Sequence, residues 1–412
     1  MLALAVSFIT AWAQSTKTET ANNFEYQVKQ TSGWVFYAPH RPILKVVVVN
    51  NRSKSNATVQ LTITTDQYVP ISIFSQSVAL QMGDSTQINF SFTLPEPGFY
   101  RCTLAENNQV VKRFNIGYEP ENIVSLPDNQ SDLKAFWDQA RTELSQIEPA
   151  YQLTLIPDSS NNVRKLYRVK MKSLGNVEVA GYYSTPAKKG KYPAIISYMG
   201  YGSKPYAPHG NPNYVEFVLS VRGQAMNQPT NMYGDWITYN LNDKNNYYYR
   251  GAFMDLIRAI DFVSSRPEVR TDAIFAEGGS QGGAFSMAAA ALDNRLRAIA
   301  PAIPFLSDFP DYFRIVQWPA SVVLRKQKEL GMSDVDMYRT LSYFDIKNLA
   351  GWIQCPVIMG VGLQDEVCPP HTNFAGYNRI SSEKKFFIYP LNGHSTPASW
   401  QDEKMSFFKK FQ

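Results

Sequence analysis

The sequence predicts an α/β fold preceded by an immunoglobulin-like β-sandwich, and three observations favour it. The 412 residues exceed one compact core and suit two domains. Residues 22–118 are short β-branched or alternating runs separated by Asn, Gly, Pro and Ser. From residue 132 onward, strand and helix patterns alternate. We therefore expect a β-sandwich over 22–118, a linker over 119–131 and an α/β domain over 132–412.

The first thirteen residues, MLALAVSFITAWA, are apolar like the central region of a secretory signal peptide. Ala11-Trp12-Ala13 fits the small-x-small cleavage rule, which predicts a signal peptide over 1–13 and a periplasmic or secreted protein. The alternative is a buried N-terminal strand. No other segment approaches the roughly 18–20 apolar residues of a membrane span.

Composition excludes several function classes. The chain is 44% hydrophobic and 18% charged, as in a globular protein. Its net charge of +5 is dispersed, without the basic face and interleaved aromatics of a nucleic-acid-binding protein. The three cysteines predict no disulfide framework, and no Cys-x-x-Cys or His-x-x-x-His pair indicates a metal site.

The N-terminal half contains about seven strand-like runs, a number typical of an immunoglobulin-like sandwich. Trp34, Phe36 and Tyr37 are candidates for stacking on carbohydrate, although aromatic residues at such positions more often belong to a core or a domain interface.

The second half begins with apolar residues at helical spacing over 132–146. LYRVKMKS and VEVAGYYS then predict an antiparallel pair, and a helix is expected over about 251–265. The remaining runs read as buried strands of a mostly parallel sheet with helices on both faces; they are PAIISYM, VEFVLSV, AIFAE, AIAPAIP, PVIMGVG and KFFIYP.

The segment AEGGSQGGAFSMAAAALD, residues 276–293, surrounds Ser280 with glycines and continues into helix formers. This fits a Gly-x-Ser-x-Gly nucleophile elbow, in which glycines permit a strained strand-to-helix turn and the helix N-terminus offers free N–H groups to an oxyanion. The alternative is a plain glycine-rich turn. The position between strand and helix favours the nucleophile.

A serine nucleophile needs a base and an oriented acid, which follow it in the order Asp or Glu, then His, in an α/β-hydrolase. His40 and His209 precede Ser280, and His371 follows two prolines at a predicted helix start. His394 follows the last predicted strand and precedes the terminal helix, so it is the predicted base.

The acid is expected directly after the strand PVIMGVG. Asp365 is closest to the end of that strand, and Glu366 is its rival. An aspartate before a proline can also be a simple cap, but the chain order favours Asp365 as the acid.

Several ordered stretches over about residues 125–412 resemble the acetyl xylan esterase / cephalosporin C deacetylase family. They are KSLGNVEVAGYY (172–183), VRGQ (221–224), YYYRGAFMDLIRAIDFV (247–263), GGSQGG (278–283), DEVCPPHTNFAGYN (365–378) and NGHS (392–395). The resemblance implies an α/β-hydrolase fold with Ser280 as nucleophile, Asp365 as acid and His394 as base. It places the oxyanion hole on the backbone N–H groups of Tyr201 and Gln281.

Three further positions can be compared with the family but are not expected to take part in the reaction. Arg222 and Arg250 match the family, and we expect them to be structural ion-pair partners. Met199 stands where the family usually has His before Gly-Tyr, which predicts a change in pocket polarity. The resemblance also implies a homo-oligomer, although the β-sandwich is absent from the usual single-domain member.

The resemblance implies a serine esterase that deacetylates xylan, xylo-oligosaccharides or related acetylated sugars without a cofactor. One alternative is a serine exopeptidase of the prolyl-peptidase type, but residues 22–118 are too few for its large propeller domain. The other is a catalytically decayed glycan-binding protein, which conflicts with the presence of Ser280, Asp365 and His394.

Overall fold

The computed structural model describes residues 24–29, 34–39, 42–50 and 55–412. The chain divides into two compact units. The first comprises the described residues between Phe24 and Thr65 together with Val69–Pro95 and Tyr100–Phe114, and the second comprises Asp66–Tyr68, Glu96–Phe99 and Asn115–Gln412. The predicted signal peptide and His40 lie outside the described residues, and the predicted domain boundaries stay predictions.

The N-terminal region is a separate β-rich part with two sheets, consistent with a β-sandwich. A three-stranded sheet has the order β1-β3-β6 and a five-stranded sheet the order β2-β8-β7-β4-β5. Alternate residues of β3, including Leu44, Val46 and Val48, are fully buried, as expected for a sheet with one covered face. The strands are β1 (Glu25–Lys29), β2 (Val35–Phe36), β3 (Ile43–Val49), β4 (Ser55–Thr65), β5 (Pro70–Leu80), β6 (Ser85–Ser91), β7 (Gly98–Glu106) and β8 (Gln109–Tyr118).

The second unit contains a nine-stranded sheet of order β17-β16-β15-β14-β12-β13-β11-β10-β9. Strands β12 to β17 pair in parallel, whereas β9, β10 and β11 add an antiparallel edge that includes the predicted β10–β11 pair. The strands are β9 (Gln152–Leu155), β10 (Arg164–Ser173), β11 (Val177–Pro186), β12 (Tyr192–Tyr198), β13 (Val215–Ser220), β14 (Val269–Gly279), β15 (Ala298–Ala302), β16 (Val357–Gly362) and β17 (Lys384–Tyr389).

Helices cover both faces of this sheet. Along β14, Ile274 and Ala276 pack into one core, while Ala273 and Phe275 pack into another on the opposite face. In the second core Phe275 stacks on Phe408 of the last helix, with ring centroids 4.7 Å apart. The α-helices are α1 (Leu133–Ser145), α2 (Tyr248–Ser264), α3 (Gln281–Leu292), α4 (Phe309–Ile315), α5 (Ala320–Glu329), α6 (Asp334–Ser342), α7 (Ile346–Leu349), α8 (Pro370–Tyr377) and α9 (Ser399–Lys409).

The two arginines of the family stretches form ion pairs. Arg222, just after β13, donates from Nη2 to Asp255 Oδ1 of α2 at 2.7 Å and from Nε to Oδ2 at 3.0 Å. Arg250 donates to Glu143 of α1 at 2.9 Å. The first pair is buried on both sides, so it ties the segment after β13 firmly to α2.

Candidate active site

Ser280 lies between the end of β14 and the start of α3, with φ 58° and ψ −121°. A positive φ is costly for a residue with a side chain, so the surrounding structure must hold it. The Ser280 N–H donates to Ala302 O of β15 at 3.0 Å, and its carbonyl accepts from Phe305 at 3.1 Å. The turn is therefore a nucleophile-elbow geometry supported by the neighbouring strand.

Glycines around Ser280 are required by close backbone packing. A Cβ on Gly282 would collide with the Tyr198 carbonyl of β12, and one on Gly283 would lie 2.6 Å from the Ala302 carbonyl. A Cβ on Gly278 would collide with the backbone of Gly282. Gly279 is different, because a Cβ there meets no atom within 4 Å. The turn therefore needs glycine at positions 278, 282 and 283. It does not need glycine at position 279, directly before the serine.

The two predicted oxyanion donors are placed by adjacent strands. Gln281 is the first residue of α3, so its N–H has no acceptor within the helix. Tyr201 follows β12, whose Tyr198 is paired in register with Gly278 of β14. Both loops therefore leave the carboxyl edge of the sheet from neighbouring strands.

A contact between two glutamine side chains, which the sequence did not predict, joins these two loops. The side-chain amides of Gln224 and Gln281 exchange two hydrogen bonds of 3.2 Å. Gln224 Oε1 also accepts the N–H of Gly202 at 3.2 Å, and Gln281 Nε2 donates to Met199 O at 3.4 Å. Both glutamines are buried, so these bonds fix the segment bearing Tyr201 against the start of α3.

The side chain of Tyr201 is held by a second loop. Its hydroxyl donates to Asp235 Oδ1 at 2.5 Å, and its ring packs edge-on against Trp236 at 5.0 Å. Burial, together with the charge of Asp235, raises the pKa of Tyr201, so the phenol stays neutral. Met199 turns inward and packs with Val218 and Ala225.

Asp365 and His394 come together after the ends of β16 and β17. His394 Nδ1 donates to Asp365 Oδ2 at 2.9 Å and lies 3.1 Å from Oδ1. Oδ1 also accepts the backbone N–H groups of Val367 at 2.8 Å and Cys368 at 2.9 Å. Asp365 is fully buried and held in place, whereas its predicted rival Glu366 is exposed. The bond at Nδ1 leaves His394 Nε2 available as a base.

The Ser280 hydroxyl lies 3.8 Å from the thiol of Cys368. Within the described part of the chain, no hydrogen bond joins Ser280 to His394; such bonds often tighten only when substrate binds. Burial raises the pKa of the Cys368 thiol well above its usual value. Because the thiol stays protonated, it is a neighbour that shapes the site and a weak nucleophile.

His209 is exposed on the loop after β12, and His371 lies in the first turn of α8, as predicted. His371 Nε2 is 3.3 Å from Asp311, and Nδ1 is 2.8 Å from Asp66, a member of the same compact unit. Burial alone would lower the pKa of His371, but its interactions with Asp311 and Asp66 raise it to about 10.

Among the described residues, Asp308, Asp311 and His371 are near enough to one another to offer ligands to a cation. The sequence predicts no metal site. Lys347 Nζ donates to Asp308 Oδ1 at 2.9 Å and already balances this charge, so we assign no metal to the cluster.

Of the aromatic residues considered for carbohydrate binding, Phe36 is buried and Trp34 packs edge-on against Phe114 at 5.2 Å. Tyr37 is exposed. None of the helices in the described ranges has the length and apolar content needed to cross a bilayer.

A serine at a strand-to-helix turn of a mostly parallel sheet, with an Asp–His pair at the same edge, defines the α/β-hydrolase class. Residues 120–411 match the acetyl xylan esterase (AXE1) family. The chain therefore belongs to this family of carboxylic ester hydrolases.

Individual proteins similar to this chain are also acetyl esterases or acetyl xylan esterases. The acetyl esterase Axe7A of Xylanibacter ruminicola is 28% identical over 339 residues, covering 77% of this chain and 75% of that protein. The solved acetyl xylan esterase of Paenibacillus sp. R4 is 29% identical, with a TM-score of 0.68, and covers 71% of this chain and 99% of its own. Acetyl xylan esterase 1 of Thermoanaerobacterium sp. JW/SL YS485 is 27% identical, with a TM-score of 0.66, and covers 71% and 98% respectively.

The glycines of the elbow provide a matched set of variants. Gly282→Ala should destabilise the protein by about 3 kcal/mol or more, because the new methyl group meets strand backbone that cannot move aside. Gly279→Ala should keep the wild-type melting temperature, because its methyl group has free space. Thermal unfolding and soluble yield measure both. Equal tolerance of the two substitutions would contradict the packing described.

The raised pKa of His371 predicts a pH-dependent stability. An unfolded histidine titrates near 6.5. The stabilisation is therefore complete below about pH 6.5 and is lost as the pH rises towards about 10. Wild type should exceed His371→Gln in melting temperature most clearly near pH 6, and the gap should close near pH 10. A gap that does not change over this range would refute the assignment.

Proposed function

We propose that the chain is an exported esterase that removes acetyl groups from acetylated xylan or xylo-oligosaccharides through Ser280, His394 and Asp365. One observation carries the proposal: the buried Asp365 carboxylate holds His394 Nδ1 at 2.9 Å, at the sheet edge where the Ser280 turn ends. Family membership supports ester deacetylation, and the apolar stretch over residues 1–13 is the basis for export.

In the proposed acylation step, His394 Nε2 takes the proton of the Ser280 hydroxyl as its oxygen attacks the acetyl carbonyl. Asp365 keeps the imidazole in the tautomer with its proton on Nδ1 and stabilises the imidazolium that forms. The negative charge on the former carbonyl oxygen is accepted by the N–H groups of Gln281 and Tyr201. The Gln224–Gln281 amide pair holds the two donors in place before the reaction begins.

The tetrahedral intermediate then breaks its bond to the sugar oxygen, which takes the proton from His394 and leaves as an alcohol. Water enters, gives one proton to His394 and attacks the acetyl-serine; acetic acid then leaves as Ser280 takes that proton from His394, and the acid ionises to acetate in solution. Both proton transfers to and both proton transfers from the reacting oxygens on the enzyme pass through one imidazole.

Two features favour a small acyl group on a sugar. The buried thiol of Cys368 lies 3.8 Å from the Ser280 hydroxyl and takes up space beside it. The segments 205–214 and 231–249 are rich in polar and aromatic residues, and Tyr206 exposes 48% of its surface. Rings and amides of this kind suit contact with sugar rings and hydroxyl groups. The named relatives are an acetyl esterase and two acetyl xylan esterases, which supports the same substrate class.

The triad can be tested by single substitutions. Ser280→Ala and His394→Ala should each reduce kcat by several orders of magnitude, and the double variant should lose little more, because the residues act as one unit. Asp365→Asn should lose about 10³–10⁴-fold. Ser286→Ala, a serine outside the triad, is the matched control. Full activity in folded Ser280→Ala on an aryl acetate would end the proposal.

Acyl preference is a second test. We expect kcat/KM to fall from acetyl to butyryl to octanoyl esters of one aryl alcohol, because the acyl group must fit beside Cys368. A prolyl dipeptide amide should not be cleaved, and acetylated xylo-oligosaccharides should release acetate. A preference for octanoyl esters, or cleavage of the amide, would favour the exopeptidase alternative or a different esterase specificity.

A further inference from the structure

Gln364 directly precedes Asp365, and both the oxygen and the nitrogen of its side-chain amide form hydrogen bonds. Its Oε1 accepts the backbone N–H of Asn115 at 2.6 Å, and its Nε2 donates to Asn115 O at 3.2 Å and to Pro390 O at 2.8 Å. In return, the Asn115 amide donates to Leu363 O at 3.1 Å. Each of the two amide side chains therefore binds backbone of the other segment. Asn115 belongs to the same compact unit as Gln364 but lies outside the family match over 120–411.

The same segment is joined to the loop that carries His394. The Leu363 N–H donates to Tyr389 O at 3.1 Å and the Gln364 N–H to Asn392 O at 2.8 Å. A Cβ on Gly362 would collide with the Gly393 carbonyl, so the two backbones are in direct contact. The bond from Gln364 Nε2 to Pro390 O is the third hydrogen bond between the segment that carries Asp365 and the segment that carries His394. These three are in addition to the bond between Asp365 and His394 themselves.

The loop over 390–395 has little packing of its own. None of these residues is buried, and Leu391 exposes 81% of its surface. His394 itself keeps 33% of its side chain exposed. The position of the imidazole therefore depends on hydrogen bonds to the acid-bearing segment more than on an apolar core.

We propose that Gln364 is a positioning residue, which sets the distance of His394 from Asp365 and Ser280 and is itself held by Asn115. The inference rests on the proposed triad. A displacement of about 1 Å in a reacting group can cost about 10²-fold in rate. An amide at position 364 therefore contributes to catalysis without touching the substrate.

Gln364→Met in the full-length protein keeps the length of the side chain and removes its three hydrogen bonds. We expect kcat on an aryl acetate to fall about 10–100-fold with KM nearly unchanged. Gln354→Met, at an exposed position outside the site, is the matched control.

Asn115→Ala removes only the bond to Leu363 O and should show the same changes more weakly. Combining Asn115→Ala with Gln364→Met should lower kcat little further, because both substitutions disrupt the same set of hydrogen bonds between Asn115 and residues 363–364. Wild-type kcat in Gln364→Met would overturn the proposal, as would a rise in KM with kcat unchanged or a loss in kcat that only follows a loss of thermal stability. Activity retained in Ser280→Ala would instead remove the triad on which the inference rests, so the two failures are distinguishable.

Discussion

The structure depends on the close contact between the backbone of residues 278–283 and the two strands beside it. The carbonyls of Tyr198 and Ala302 lie so near Gly282 and Gly283 that no side chain fits there. This packing holds Ser280 at a positive φ, which no local preference would supply. The serine therefore stands at the edge of the sheet with the free end of α3 beneath it, and each further group of the site is placed relative to this turn.

The parallel order of the strands places the remaining groups. Each residue of the site follows the carboxyl end of a parallel strand, and these ends share one edge of the sheet: Tyr201 follows β12, Ser280 follows β14, Asp365 follows β16 and His394 follows β17. Residues far apart in sequence meet there because each strand runs in the same direction. Amide side chains then fix these loops. Gln224 and Gln281 bond to each other, and the Gln364 amide bonds to the backbone of Asn115 in β8 and of Pro390. The order of the strands therefore brings the site residues to the same edge, and the hydrogen-bonded amides fix the loops that carry them.

Local patterns were sufficient to predict much of this arrangement. The glycines around Ser280 indicated the turn, and the scarcity of histidine singled out His394. The helix expected from about 251 begins at Tyr248, because the buried tyrosines there pack against the core. The amide pairs could not be predicted, because a glutamine on a loop has no periodicity and its partner can lie more than two hundred residues away, as Gln364 does from Asn115. The choice between Asp365 and Glu366 also depended on side-chain direction, which spacing does not give.

In the proposed reaction Ser280 is the group that becomes acylated. A fluorophosphonate ester gives a stable adduct that resembles the tetrahedral intermediate, and peptide mass spectrometry identifies the residue that carries it. We expect one adduct per chain, on Ser280, formed in step with the loss of esterase activity. Inactivation through an adduct on Cys368 or another residue, or full activity with Ser280 modified, would contradict it.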